Sequence, residues 1–560
     1  MRAVPALILA ALVAPVALGL WQTGRAAFGI MPALGRETPS LDPWRQLFAL
    51  PGLGGSIRLS LVSGLGAAIL SLLIALALVQ ALQGRLSAAR AARWLAPFLA
   101  VPHAALAIGM AFLLAPSGWI ARALAPLMDW TRPPGIASVN DPWGMALMLG
   151  LMVKEIPFLM LVILAALGQV PLARIMAMGR ALGYGPGAVW LRLVLPAIWP
   201  MLRLPFWVVL VYSVSNVEMA IILGPANPPV LGVAVTRWFA SPDLAMILPA
   251  SAGAILQAGL AGAVIAAAWG AERLAARLGP VWLARGRRGP ARAPGWLVGA
   301  LLRLAGAAGL VLMAAGLLAM AALAIWSLAF RWSFPQILPE TWSLNAWSMA
   351  APGWRRALTT SVLLAGATAG LSLALAVAWL QAAPARMRAE WLILLPLLVP
   401  QIGFLYGLNV VFLRAGLQAD LLTVGMGQML FVFPYVLLSL SGPWRAVDPR
   451  LMRTAAALGA GPWRRLVAVR LPVLLRPLLT AWAIGIAVSV AQYLPTLYLG
   501  AGRVATLTTE AVTLASGSDR RVSGVYASLQ ALVPLLAYAC AFVIPAWWHR
   551  DRRALAGAFR

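Results

Sequence analysis

The sequence is poor in most of what soluble chemistry uses. It has one cysteine, Cys540, so no intramolecular disulfide can form, and with only two histidines, His103 and His549, a Cys/His metal cluster is excluded too. Charged residues make up 10% of the 560 and hydrophobic ones 62%, against about 25% and about 45–50% in globular domains. A soluble fold is thereby excluded. No long polar region separates the apolar runs, which leaves no room for a sizeable aqueous domain. Lysine is absent but for Lys154, which sits inside an apolar run. A phosphate-binding G-x-x-x-x-G-K-[ST] loop needs its lysine on the nucleotide, so the chain cannot supply that motif.

What is present is a succession of apolar runs, each matching the roughly 20 residues a membrane helix needs. Spans are expected near 4–22, 53–81, 94–115, 143–168, 200–223 and 245–270, then 297–328, 357–382, 391–414, 421–441, 477–499 and 523–547. The first run is expected to be a transmembrane helix, because no A-x-A-like cleavage site follows Leu20 cleanly. The formal net charge of +28 lies in short loops between spans and not along one soluble face, so it reads as a topology signal and not as nucleic-acid binding. Arginines cluster in alternate loops, including Arg85, Arg90, Arg174, Arg192, Arg285, Arg445, Arg465 and Arg553, while Asp42, Asp141, Glu340 and Asp519 lie in the others. By the positive-inside rule both termini are expected in the cytoplasm of a bacterial cell, with the chain in its inner membrane.

The sequence repeats itself. Ala181-Leu182-Gly183-Tyr184-Gly185-Pro186 matches Ala457-Leu458-Gly459-Ala460-Gly461-Pro462, and Leu195-Pro196 matches Leu471-Pro472 without a gap. In the same register Leu223-Gly224 meets Leu499-Gly500. Upstream, the second span of each half also aligns, in a register of its own: Ser60, Ser71 and Gln80 meet Ser361, Ser372 and Gln381. Six spans per copy give the copies the same orientation. The expected architecture is all-α and integral to the membrane: about twelve transmembrane helices as two parallel six-helix repeats, residues 1–285 and 286–560. The Gly-, Pro- and Arg-rich stretch 272–295 is expected to be an inner linker between them.

The loops 173–200 and 449–477 each read as a short helix ended by glycine, a Gly-Pro turn, and a second helix that stops at Leu-Pro. Both resemble the cytoplasmic E-A-A-x-x-x-G loop of binding-protein-dependent ABC importer permeases, with Gly183 and Gly459 as the glycines and Val194-Leu195-Pro196 and Arg470-Leu471-Pro472 as the endings. The resemblance implies a type I importer permease fold, and a permease that is not itself an enzyme. Its partners would be two copies of a cytosolic ATP-binding subunit, a periplasmic solute-binding protein and the lipid bilayer. It also implies that Ala181, Leu182, Gly183, Leu195, Pro196, Ala457, Leu458, Gly459, Leu471 and Pro472 couple the pore to the ATPase. The family's leading glutamate falls at Ala177 and Arg453, so neither loop keeps that acid. Fusion of two halves in one chain is similar to the iron(III) and thiamine uptake branch. Iron(III), thiamine, polyamines and small oxyanions all stay open as substrates, and no cofactor or metal is implied.

A few polar residues sit at membrane depth, where each ionisable group costs roughly 2.5–3.5 kcal/mol on insertion scales. Lys154 and Glu155 are neighbours that point about 100° apart on a helix, and they read either as elements of the pathway or as packing and water contacts within the bundle. Asn216 and Glu218 near the outer end of the fifth span, with Gln492 and Tyr493 in the second copy, are pathway residues or ordinary interfacial polarity. His103 after Val101-Pro102, and Gln401 after Val399-Pro400, are explained by a kinked, packed helix. The competing function is an ion-coupled secondary transporter with twelve spans, which would leave the two Gly-Pro hairpins without a task.

Overall fold

A computed structural model describes residues 3–82, 88–284, 295–382, 390–517 and 519–548. Among the described residues the regular structure is helical, apart from a short hairpin of Ala329–Arg331 against Thr341–Trp342. Helices close their own backbone hydrogen bonds, which the bilayer core cannot do for them. Among the described residues ten helices are long and apolar enough to cross a membrane, and the number is twelve when each of two bent pairs is taken as one span. In chain order the first half holds Val4–Ala27, Leu53–Ala81, His103–Leu124, Met145–Leu167, Gly187–Ser215 and Leu244–Val281. The seventh and eighth spans are Ala300–Leu328 and Ala351–Ala382, the ninth is Trp391–Leu398 with Gln401–Arg414, and the tenth is Leu421–Ala446. The eleventh is Pro462–Val473 with Leu475–Ala491, and the twelfth is Arg520–Trp548.

Three expectations about boundaries change. The fifth and eleventh spans do not run on to residues 223 and 499; they stop at Ser215 and Ala491, and the next residues form separate short helices, Glu218–Leu223 and Leu494–Gly500. In the first half Asn216 causes the break, since its side-chain oxygen accepts from the Met219 and Ala220 N–H groups at 3.0 and 3.2 Å, in competition with a continuous helix. In the second half Pro495 cannot continue a helix, having no N–H to donate. The stretch 272–295 is not an open linker at its start, because the sixth-span helix continues to Ala284. The boundary between 285 and 286 falls outside the described residues.

A break at membrane depth frees carbonyls, and both halves satisfy the same one. Gln257 donates to the Val214 oxygen at 3.1 Å, and the Thr508 hydroxyl donates to the Val490 oxygen. Gln530 in turn donates to Thr508 Oγ1 at 2.7 Å. Each half then sends in a further short helix, Leu231–Phe239 or Leu507–Ala515. Its first N–H is accepted by a serine of the half's second span: Ser60 takes Leu231 at 2.8 Å and Ser361 takes Leu507 at 2.9 Å. These paired solutions are the tertiary counterpart of the sequence repeat.

The halves exchange their leading helices. The first span packs against the ninth and the seventh against the third. Glycine makes both crossings possible. Gly109 and Gly407 each lie seven residues after the Pro102 or Pro400 of the helix break. An added Cβ would meet the Ala319 oxygen at 2.4 Å from Gly109 and the Gly19 oxygen at 2.0 Å from Gly407.

Candidate functional site

Where the third to fifth spans of the first half meet the ninth to twelfth of the second, the bundle encloses a cavity of about 370 Å3. The polar side chains on its wall come from the breaks and from mid-span positions of both halves. His103 and Gln401 open the helices that follow Pro102 and Pro400, and both line the cavity. The Val-Pro pairs thus produce the expected break and also aim a polar residue inward.

Lys154 is buried on the fourth span, and its ammonium is fully engaged. Nζ donates to the carbonyls of Phe98, Leu99 and Val101 at 2.8, 3.3 and 2.5 Å. These are oxygens that the break before Pro102 leaves without helical partners. An ammonium has three donors, and all three are used. Lys154 also lines the cavity. Glu155 is 5% exposed and lines it as well. Among the described residues no hydrogen bond or ion pair reaches its carboxylate.

Glu218 begins the short helix after the fifth-span break and accepts a hydrogen bond from the Tyr212 hydroxyl at 3.0 Å. The Tyr212 ring packs on His103 with centroids 4.7 Å apart. Gln492 and Tyr493 occupy the corresponding break of the eleventh span and line the cavity. The Gln492 side-chain oxygen has no hydrogen-bond partner among the described residues. Asn216 is not a lining residue; its oxygen is spent on capping Glu218–Leu223.

The two hairpins between the fourth and fifth spans of each half share one geometry. The helices Leu172–Ala181 and Pro449–Ala457 both end in a Schellman motif. Gly183 N–H meets the Arg180 oxygen at 2.9 Å and Tyr184 N–H the Gly179 oxygen at 3.0 Å; Gly459 and Ala460 repeat this with Ala456 and Ala455 at 3.0 and 2.9 Å. Both glycines take positive φ, +79° and +80°, where a side chain would be strained. The returning helices open into a single π turn just before Leu195-Pro196 and Leu471-Pro472. Proline has no N–H to give, so the residue before it bonds five residues back, Leu195 to Trp190 and Leu471 to Leu466. At the tips Leu182 is 60% and Leu458 83% exposed. Ala181 and Ala457 beside them are exposed as well.

Comparison with known proteins agrees with this architecture. Residues 370–550 match the family described as binding-protein-dependent transport system inner membrane component. The inner membrane ABC transporter permease protein YnjC of Escherichia coli (strain K12) is 32% identical over 528 residues, covering 94% of each chain. The chain belongs to the ABC transporter permeases. Its fold is the all-helical type I permease fold, and its family is a multi-pass transport component, not an enzyme class. Permeases of this family work with an ATPase and a solute-binding protein.

Within this permease, Lys154, Glu155, Glu218, Gln492 and Tyr493 are brought to one cavity, although 338 residues separate Lys154 from Gln492 in sequence. Tyr212, Tyr435 and Tyr538 line it too and were not singled out from sequence. The one available signal was their rarity, since the chain has only eight tyrosines.

Proposed function

We propose that the permease forms the whole translocation pathway of an ATP-driven importer, its two halves being residues 1–285 and 286–560. In this reading the central cavity receives the solute, and the halves rock about it. The hairpins around Gly183 and Gly459 dock on two copies of a separate cytosolic ATP-binding subunit and transmit its closure. A periplasmic receptor delivers a small solute, iron(III), thiamine or a related compound. The chain lies in the bacterial inner membrane with both termini cytoplasmic. The observation that carries the reading is the duplicated hairpin, with the same Schellman motif, the same π turn and an outward leucine at each tip. An exposed leucine at equivalent tips of both hairpins fits a groove on a partner.

The test is purification of the tagged chain in mild detergent with mass spectrometry of what accompanies it. A Walker-containing ATPase is expected, and the Leu182→Glu, Leu458→Glu double variant is expected to lose it while eluting as the same monodisperse species. Recovery of the chain alone, with transport that follows a proton or sodium gradient, would replace this reading by the secondary transporter.

A further inference from the structure

We propose that the cavity is built to pass a small organic cation. The inference rests on the reading of the cavity as the transport pathway and names the substrate class of that pathway.

The cavity wall holds unmatched acceptors. Two carboxylates, Glu155 and Glu218, face the cavity against one ammonium, Lys154. That ammonium has no N–H left for a ligand, because all three go to Phe98, Leu99 and Val101. Glu155, at 5% exposure, accepts no hydrogen bond among the described residues, and Gln492, at 9%, has a side-chain oxygen without a partner. Both are more than nine-tenths buried and both belong to the lining. Buried acceptors left unpaired are unfavourable and are ordinarily matched by a donor or a counter-charge. A cationic solute with N–H groups or a localised positive charge supplies both while it passes.

Among the described residues the lining contains no arginine, and Lys154 is its one lysine. An anionic solute would meet two carboxylates and no free cationic donor. A bare multivalent metal ion needs a cluster of ligands, and no group of three or more His, Cys, Asp or Glu gathers among the described residues. The rest of the wall suits the body of an organic cation: Tyr435, Tyr493 and Tyr538 offer rings for cation–π contact, amid aliphatic side chains. A volume of about 370 Å3 is that of a small-molecule site.

The experiment uses the full chain in lipid nanodiscs and equilibrium dialysis with radiolabelled tetraethylammonium, N-methylpyridinium, thiamine and spermidine, against sulfate and ferric citrate. Saturable binding of at least one of the four cations is expected, about tenfold or more tighter than either of the others. Glu155→Gln is expected to weaken it about tenfold, and Gln492→Glu, which adds an acceptor charge to the same wall, to strengthen it and to restore binding in the Glu155→Gln background. The proposal is overturned by tighter binding of sulfate or ferric citrate, by no saturable cation binding, or by cation binding indifferent to both substitutions. Recovery of the ATPase is scored on the same preparation. A recovered ATPase with an anion-preferring cavity sinks the charge assignment alone, whereas a missing ATPase sinks the importer reading on which it rests.

Discussion

Replacing Lys154 by methionine removes the clamp on the broken third span and keeps the aliphatic stem. Three carbonyl oxygens, of Phe98, Leu99 and Val101, lose their donor at once. Hydrogen bonds to a charged group are worth about 1.5–3 kcal/mol each, but three bonds to one ammonium are not independent. Losing one side of a buried charged cluster costs about 3–5 kcal/mol, and that is the expected destabilisation. It corresponds to a fall in the melting midpoint on the order of 5 °C for a chain of this size. The assay is thermal loss of the monodisperse peak in detergent, followed by fluorescence-detected size exclusion. The double variant Lys154→Met, Glu155→Gln separates two roles. If Lys154 serves chiefly to clamp carbonyls, removing the neighbouring acid recovers less than half of the loss. An unchanged midpoint in Lys154→Met would refute the clamp, and full recovery in the double variant would show that Lys154 is mainly the counter-ion of Glu155.

Two further outcomes follow from the paired features of the halves. Ser60→Ala and Ser361→Ala each leave a buried backbone N–H, of Leu231 or Leu507, without an acceptor; each is expected to destabilise by about 1–3 kcal/mol, in the same thermal assay. A midpoint that moves for one and not the other would break the structural equivalence. Gly109→Leu and Gly407→Leu drive a side chain into the backbone of the seventh or first span. Each is expected to displace that span and speed proteolytic cleavage in the adjoining loop, near 28–52 for Gly407→Leu and 329–350 for Gly109→Leu. Wild-type cleavage rates in both variants would refute the close crossings.

The sequence by itself determined the ten to twelve spans, because hydropathy and length are local quantities that the bilayer reads directly. It also determined the hairpins: a glycine in the left-handed conformation and a proline without an N–H act within a few residues, so Gly183, Pro196, Gly459 and Pro472 announce their geometry in one dimension. The repeat was legible for the same reason. Only the tertiary structure decided that the leading helices cross to the opposite halves, since Gly407 and Gly109 become meaningful once a distant backbone lies against them. It decided as well that the fifth and eleventh spans break: Asn216 and Pro495 are visible in the sequence, but hydropathy averaged over a span runs past them. Lys154 and Glu155 looked alike in sequence, as adjacent ionisable residues in one span, and both line the cavity, yet the ammonium of one is consumed by carbonyls more than fifty residues away while the carboxylate of the other accepts no hydrogen bond among the described residues. That difference comes from which way each side chain leaves the helix and what stands opposite, and a linear pattern carries neither.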